Sequence, residues 1–152
     1  VARHFVDRES QRKTSARNSF FGKVESILKG DIQSQIDLVT LGGASVTTVI
    51  TNNSLEKLGL KIGSLVTAEI KAPWVIIEKS AIKPSSTAEN IFQGTVIKVV
   101  QGALTSEFIV RIQDGIEVCS LVTQRDLGKL DIKENDAVWV MFNSFAVILR
   151  VE

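Results

Sequence analysis

The sequence predicts an all-β fold of two tandem, five-stranded small barrels, each with one short helix. Three observations lead to this prediction: an internal repeat, short segments rich in Val, Ile and Thr, and one helical signal at the same place in each copy. Residues 15–80 align without a gap with residues 87–152 at a constant offset of 72, and seventeen of the 66 pairs are identical. Chance similarity does not keep register for this long, so we expect two copies of one unit.

Each element of the first copy has a local signal. Strands are predicted where segments rich in Val, Ile and Thr lie between turn residues, over residues 20–28, 34–41, 45–50, 65–71 and 74–79. Gly42-Gly43 predicts a hairpin turn. A helix of one or two turns is predicted over residues 51–60, which begin with N-cap residues and contain Gly59 near the end. Five strands with a helix between the third and fourth are typical of the partly open barrel of the oligonucleotide-binding (OB) fold.

The repeat divides the chain into segments. Residues 1–14 are polar, mixed in charge and outside the repeat, and we interpret them as a linker or tail from a missing N-terminal region. The first repeat is predicted over residues 15–82, a short linker over 83–86 and the second repeat over 87–152. The chain starts with Val rather than Met, and we therefore expect a preceding region in the natural protein.

The composition argues against several classes of function. Eighteen basic and seventeen acidic residues give a net charge of +1, too little for a dedicated nucleic-acid binder, and the absence of Tyr disfavours a base-stacking surface. No apolar run is long enough to span a bilayer. The single cysteine, Cys119, lies in an apolar stretch, which predicts a buried thiol and fits a reducing cytoplasm.

No catalytic or metal-binding cluster can be assembled from the sequence. The only histidine is His4, in the N-terminal tail, where a surface role is the ordinary interpretation. A nucleophile with its base, ligands at metal-binding spacing and a phosphate-binding loop are all absent from the sequence. We therefore expect a protein that is not an enzyme.

The two copies differ most in their charged residues. Two cations disappear and two acidic residues appear in the second copy, where Arg17 corresponds to Glu89, Lys71 to Asn143 and Ser54 to Asp126. The hydroxyls of Ser15 and Thr51 are kept, as Thr87 and Thr123. Singly, each is an ordinary surface group or helix cap. Together, hydroxyls, a helix start, an Arg and a Lys are the donors that hold a tetrahedral oxyanion, so the first copy is interpreted as an anion receptor.

These residues lie in recognisable strings. Ser15-Ala16-Arg17-Asn18, Thr51-Asn52-Asn53-Ser54 and Lys71-Ala72-Pro73-Trp74 together resemble the Mop (TOBE) module of molybdate-binding proteins. The tandem arrangement over residues 15–152 resembles the C-terminal di-Mop domain of molybdate-dependent transcription regulators. The resemblance implies a homodimer in which molybdate contacts Ser15 and Arg17 of one protomer, and Thr51, Ser54, Lys71 and the backbone of Ala72 of the other. The second repeat departs from this pattern at Glu89, Asp126 and Asn143.

Molybdate suits such a set of donors. Near neutral pH it is a dianion whose four oxygens only accept hydrogen bonds, so a pocket of donors without a carboxylate favours it over phosphate. The same donors also favour sulfate and tungstate, and only the size of the cavity separates these anions. The sequence thus predicts a cytoplasmic, molybdate-sensing domain that reaches DNA only through an N-terminal domain. Three alternatives stay open: a stand-alone molybdate store with tandem Mop units, an accessory domain of a molybdate transport ATPase, and an oligonucleotide-binding module.

Overall fold

The structure, a computed structural model, describes residues 17–127 and 130–152; Ser15, His4 and the tail predicted over residues 1–14 lie outside this range. The elements of the first repeat are β1 (Arg17–Lys29), β2 (Gln33–Thr40), β3 (Ser45–Thr51), α1 (Asn52–Leu58), β4 (Leu65–Lys71), a 3-10 helix (Ala72–Trp74) and β5 (Ile76–Glu78). Those of the second are β6 (Asn90–Gln101), β7 (Thr105–Arg111), a 3-10 helix (Gln113–Gly115), β8 (Glu117–Thr123), α2 (Gln124–Leu127), β9 (Ala137–Phe142), a 3-10 helix (Ser144–Ala146) and β10 (Ile148–Val151).

The strands form two antiparallel five-stranded sheets, which confirms the predicted all-β class. Their strand orders are β10-β4-β1-β2-β3 and β5-β9-β6-β7-β8. The predicted short helix is also confirmed, since α1 is capped by Thr51 and ends at Gly59 with a φ of 62°. That left-handed conformation is one that glycine adopts without steric cost.

The fifth strand of each repeat lies in the sheet of the other repeat, an arrangement that the sequence did not indicate. β5 pairs with β9, with Ile77 opposite Val140. β10 pairs with β4, with Leu149 opposite Ala68. These two pairs are equivalent under the offset of 72, so the exchange is reciprocal and symmetric.

Each exchanged segment also reaches the far edge of the sheet that it enters. Just before β5, the carbonyl oxygen of Val75 accepts a hydrogen bond of 2.7 Å from the hydroxyl of Ser120 on β8. In the same way, the hydroxyl of Thr48 on β3 donates to the carbonyl oxygen of Val147 at 3.0 Å. A segment of one repeat therefore contacts both edges of the other repeat's sheet and closes it into a small barrel.

One hydrophobic core runs through both barrels. At their junction the buried rings of Phe20, Phe92 and Phe142 meet, with centroids 5.9 Å apart for both pairs that include Phe20 and 6.0 Å apart for Phe92 and Phe142. Aromatic pairs at this spacing add to the free energy of apolar burial. Two units near the lower size limit for an independent core are thus stabilised by sharing one.

β1 is long because it pairs with two strands in turn. Its first part, from Arg17 to Lys23, pairs with β4, and its last part, from Gly22 to Lys29, pairs with β2. A β-bulge between Val24 and Ser26 interrupts the register and bends the strand. At Gly22 a Cβ atom would overlap the backbone of Val39, so glycine is required where the two pairings meet.

The predicted burial of Cys119 is confirmed. Its thiol is free and buried, and burial, followed by the charge of Glu107, raises its pKa to about 12. Among residues 17–127 and 130–152, no helix has the length and apolar character needed to cross a membrane.

Candidate functional site

Arg17 and Lys71 face each other across two paired strands. Arg17 opens β1, Lys71 closes β4, and the register places them directly opposite each other. Residues opposite each other in an antiparallel pair share one face of the sheet, with Cβ atoms roughly 5 Å apart. Two like charges at this spacing are unfavourable unless an anion compensates them. The structure thus brings two of the predicted site residues together within one chain.

Glu69 lies beside this pair of cations and was not predicted. It is two residues before Lys71 on β4 and therefore on the same face. One carboxylate oxygen lies 3.9 Å from Nη1 of Arg17, and the other accepts a hydrogen bond of 2.8 Å from Nη2 of Arg150 on the exchanged strand β10. A carboxylate therefore lies beside the predicted cations, where the sequence indicated none. Because Arg150 is the closer partner of Glu69, Arg17 keeps a largely exposed side chain.

Ala72 follows Lys71 and starts a 3-10 helix. Its side chain is completely buried, and its carbonyl oxygen accepts a hydrogen bond of 3.1 Å from the N–H of Val75. Pro73 fixes the first turn of this helix, and Trp74 ends it with a side chain that is 60% exposed. The backbone of Ala72 is thus held rigidly next to the two cations.

Thr51 and Ser54 form a pair of hydroxyls at the start of α1. The Thr51 hydroxyl accepts a hydrogen bond of 3.1 Å from the N–H of Ser54 and donates one of 3.0 Å to the Ser54 hydroxyl. Both contacts are exposed, and the first turn of α1 contains no acidic residue. This pair is the second group of predicted donors that the structure brings together.

Asn52 positions the start of α1, a role that the sequence did not indicate. Its Nδ2 donates to the carbonyl oxygen of Gly30 at 2.9 Å, and its Oδ1 accepts from the Ser34 hydroxyl at 2.5 Å. In the second repeat Gln124 replaces Asn52, and the equivalent buried hydroxyl of Ser106 has no hydrogen-bond partner in the described part of the chain. The change from Asn to Gln between the copies was the signal that could have identified it.

The two groups of donors lie at opposite ends of β1. Arg17 is its first residue and Lys29 its last; Lys29 lies opposite Ser34, and the preceding Gln33 lies opposite Thr51. At a rise of about 3.3 Å per residue, the path along β1 is up to about 40 Å. Along the strands of one chain, the two groups of donors are therefore separated by the whole length of β1.

This geometry favours a grouping of residues that differs from the one that the resemblance implied. Lys71 and Ala72 were assigned to the same protomer as Thr51 and Ser54, opposite Arg17. The register instead places Lys71 and Ala72 beside Arg17 in one chain, and leaves Thr51 and Ser54 as the other group. The residue strings did not indicate this neighbourhood, because the pairing of β1 with β4 depends on strand register. Ser15, the remaining member of the predicted set of six, lies outside the described residues.

The second repeat keeps the helix cap but changes its charge. The N–H of Asp126 donates to the Thr123 hydroxyl at 3.4 Å, as that of Ser54 does to Thr51, but a carboxylate now stands in the first turn of α2. A carboxylate there complements the helix dipole and repels an incoming anion. Within the described residues no group of three or more His, Cys, Asp or Glu side chains is arranged to hold a metal ion.

Comparison with known families agrees with this architecture. The family model described as the TOBE domain matches residues 14–77 and, a second time, residues 86–149. This chain belongs to the TOBE domain family. The family resemblance predicted from the residue strings is thereby confirmed, with two TOBE domains in tandem.

Curated relatives of this chain include a transcriptional regulator and a molybdenum-pterin-binding protein. The chain is 34% identical over 139 residues to the transcriptional regulator ModE of Yersinia pestis, covering 90% of this chain and 52% of that protein. It is 28% identical over 139 residues to the molybdenum-pterin-binding protein MopB of Rhodobacter capsulatus, covering 91% and 52%. The chain thus spans about half the length of these curated relatives.

One solved structure matches nearly the whole TOBE pair. It is that of the cytoplasmic molybdate-binding protein ModG with molybdate bound, with a TM-score of 0.84 and 33% sequence identity. The alignment covers 91% of this chain and 98% of that one. The predicted architecture of two tandem domains is confirmed by this similarity.

Proposed function

We propose that this TOBE pair binds molybdate between two copies of the chain, as the effector-binding part of a cytoplasmic molybdate-responsive transcription regulator that reaches DNA through a region outside this chain. Its action is binding without catalysis. One copy supplies Arg17, Lys71, the backbone of Ala72 and Ser15, and its partner supplies Thr51 and Ser54. The ModE relatives and the ModG structure with molybdate bound support this proposal.

The juxtaposition of Arg17 and Lys71 carries the argument. Two cations placed directly opposite each other raise the free energy of the empty protein, and a dianion between them removes that cost. Glu69 offsets part of one charge only, because its closer hydrogen bond is to Arg150. Binding energy is therefore gained both from new hydrogen bonds and from relief of repulsion.

Separation of the two donor groups explains why the site requires two chains. Since Thr51 and Ser54 lie at the far end of β1 from Arg17, their hydroxyls complete the shell of the anion only when a second copy docks. Charge-assisted hydrogen bonds contribute roughly 1.5–3 kcal/mol each. A set of about five, less the cost of association, makes micromolar or tighter affinity reasonable. Molybdate then favours the dimer arrangement that completes the site, which is a signal that an attached domain can receive.

A titration with sodium molybdate tests the site. Arg17→Glu introduces the residue that the second repeat carries at this position and should abolish binding detected by calorimetry. Arg111→Glu, which makes the same charge change at an exposed arginine of β7, serves as the matched control and should bind normally. Tight binding by Arg17→Glu, with an unchanged thermal melt, would exclude Arg17 from the site.

Mixed dimers test the assignment of donors to chains. Homodimers of Arg17→Glu and of the double variant Thr51→Ala/Ser54→Ala should each fail to bind. After subunit exchange, a mixed dimer combines an intact Arg17 from one chain with intact hydroxyls from the other, so about a quarter of all sites should recover. A mixture of Arg17→Glu with Lys71→Asn should recover none, because both changes affect the same half of the site. Recovery of about a quarter of the sites in both mixtures would instead support the grouping first implied by the resemblance.

A stand-alone molybdate-binding protein is the second candidate. It is favoured by ModG, of which this chain covers 98%. Immunodetection of the native protein in its own cells separates the candidates, because a regulator or a transport ATPase has a mass well above that of the TOBE pair. A native mass equal to that of this chain would support the stand-alone protein and refute the regulator.

A further inference from the structure

The second repeat already holds a carboxylate where the proposed site of the first repeat would hold its anion. One oxygen of Glu89 accepts a hydrogen bond of 3.0 Å from the backbone N–H of Ser144. This N–H hydrogen bond is the main cause of a lowered pKa of Glu89, opposed by partial burial, and the Ser144 hydroxyl acts in the same direction. That hydroxyl is completely buried and has no hydrogen-bond partner within the described part of the chain. Two donors of Ser144 are thus available to one carboxylate.

Under the offset of 72, Glu89 and Ser144 correspond to residues of the first site. Glu89 stands at the position of Arg17, and Ser144 at that of Ala72, whose backbone belongs to the proposed molybdate shell. Asn143 stands at the position of Lys71, and its Oδ1 accepts a hydrogen bond of 2.8 Å from the N–H of Phe145. The second repeat has therefore replaced two cations by one anion and one neutral cap, and it uses its donors internally.

We propose that Glu89 is a built-in anion ligand of the second TOBE domain, which occupies the oxyanion position through the backbone of Ser144 and excludes molybdate from it. This inference depends on the proposed function in one respect, because it is the proposed function that identifies that position as an anion site. It assigns Glu89 a role in specificity: each chain binds molybdate through its first repeat, and the second repeat is kept permanently occupied. An attached carboxylate is always present at high local concentration, so this repeat does not respond to the supply of oxyanion.

Removal of the carboxylate should leave a vacant position for a small anion. In Glu89→Ala, the amide proton of Ser144 loses its charged acceptor, and its NMR resonance should shift to lower frequency. Sodium formate should then bind and return that resonance toward its wild-type position with saturation. A dissociation constant on the order of 10 mM or weaker is expected, because only one or two hydrogen bonds hold the ion. Glu117→Ala, which removes an equal charge from β8, should show neither effect.

A second variant and a second background make the test decisive. Glu89→Gln keeps the size of the side chain and should shift the Ser144 resonance part of the way toward its position in Glu89→Ala. This variant therefore tests the same hydrogen bond even if Glu89→Ala does not fold. The same measurements in an Arg17→Glu background should give the same result, which separates failure of the first site from failure of this proposal. An unshifted Ser144 resonance in Glu89→Gln, or a response to formate equal to that of Glu117→Ala, would overturn the proposal.

Discussion

The side chain of Asn18 makes two hydrogen bonds to the backbone of Cys119, a residue of the other repeat. Nδ2 of Asn18 donates to the carbonyl oxygen of Cys119 at 2.9 Å, and Oδ1 accepts from its N–H at 2.7 Å. Asn90 makes the same two bonds to Thr47, at 2.9 and 2.7 Å. Both asparagines are buried and are equivalent under the offset of 72. Each therefore fastens the first strand of its own repeat to the third strand of the other.

Asn18→Ala should destabilise the protein by roughly 2–4 kcal/mol, because it leaves two buried backbone groups of Cys119 without partners. Asn90→Ala should cost a similar amount, since its contacts to Thr47 are equivalent. Asn53→Ala, at an exposed position in α1, should stay within about 0.5 kcal/mol of the wild type. Urea denaturation measures all three free energies of unfolding. Equal stability of the Asn18 and Asn53 variants would show that these hydrogen bonds contribute nothing net.

Local features of the fold could be predicted, whereas pairing between the copies could not. The repeat, the turn residues and the cap at Thr51 gave the number of strands, their order and the place of the helix. The exchange of fifth strands was not predictable, because Ile76-Ile77-Glu78 and Ile148-Leu149-Arg150 have the same apolar pattern and either can pair with β4. The two asparagines occupy equivalent positions of the repeat, but their partners are 101 and 43 positions away in the chain.

The candidate site was predicted in its residue types but not in its arrangement. Comparison of the copies singled out Arg17 and Lys71 because both cations are lost in the second repeat. Their direct opposition follows from strand register, which required the structure. Glu69 was missed because its main partner, Arg150, comes from the other repeat through the exchanged strand. Asn52 was missed because its contacts with Gly30 and Ser34 depend on how β2 and β3 pair.

An isolated first repeat, residues 1–86, should form a dimer. Without β10, the edge of β4 loses Leu149 opposite Ala68, and the equivalent Ile77 of a second copy can take that place. Reciprocal exchange between two copies then reproduces the arrangement of the full chain. Light scattering combined with gel filtration measures the mass. A folded monomer of this fragment would show that β5 can return to its own sheet.

Molybdate should change the intrinsic fluorescence of the protein through Trp74. This indole is 60% exposed and lies two residues after Ala72, whereas Trp139 donates from Nε1 to the carbonyl oxygen of Ser80 at 3.0 Å in the other sheet. Trp74→Phe should remove most of the response, and Trp139→Phe should leave it in place. If the response survived in Trp74→Phe and was lost in Trp139→Phe, the anion would have to bind near the second repeat.

Glu89 should make the stability of the protein depend on pH in the acidic range. Its pKa in the folded chain lies below the ordinary value of 4.5, chiefly because of the N–H of Ser144, and the unfolded chain has the ordinary value. The carboxylate therefore stabilises the fold fully above about pH 4.5, and this contribution is lost as the pH falls through the lowered folded value. The difference in free energy of unfolding between wild type and Glu89→Gln should be constant near neutral pH and should vanish in acid. Because the side chain is exposed, we expect this difference in free energy to stay below about 1 kcal/mol. Urea denaturation across the acidic range measures the difference, and a difference that grew on acidification would contradict the assigned hydrogen bond.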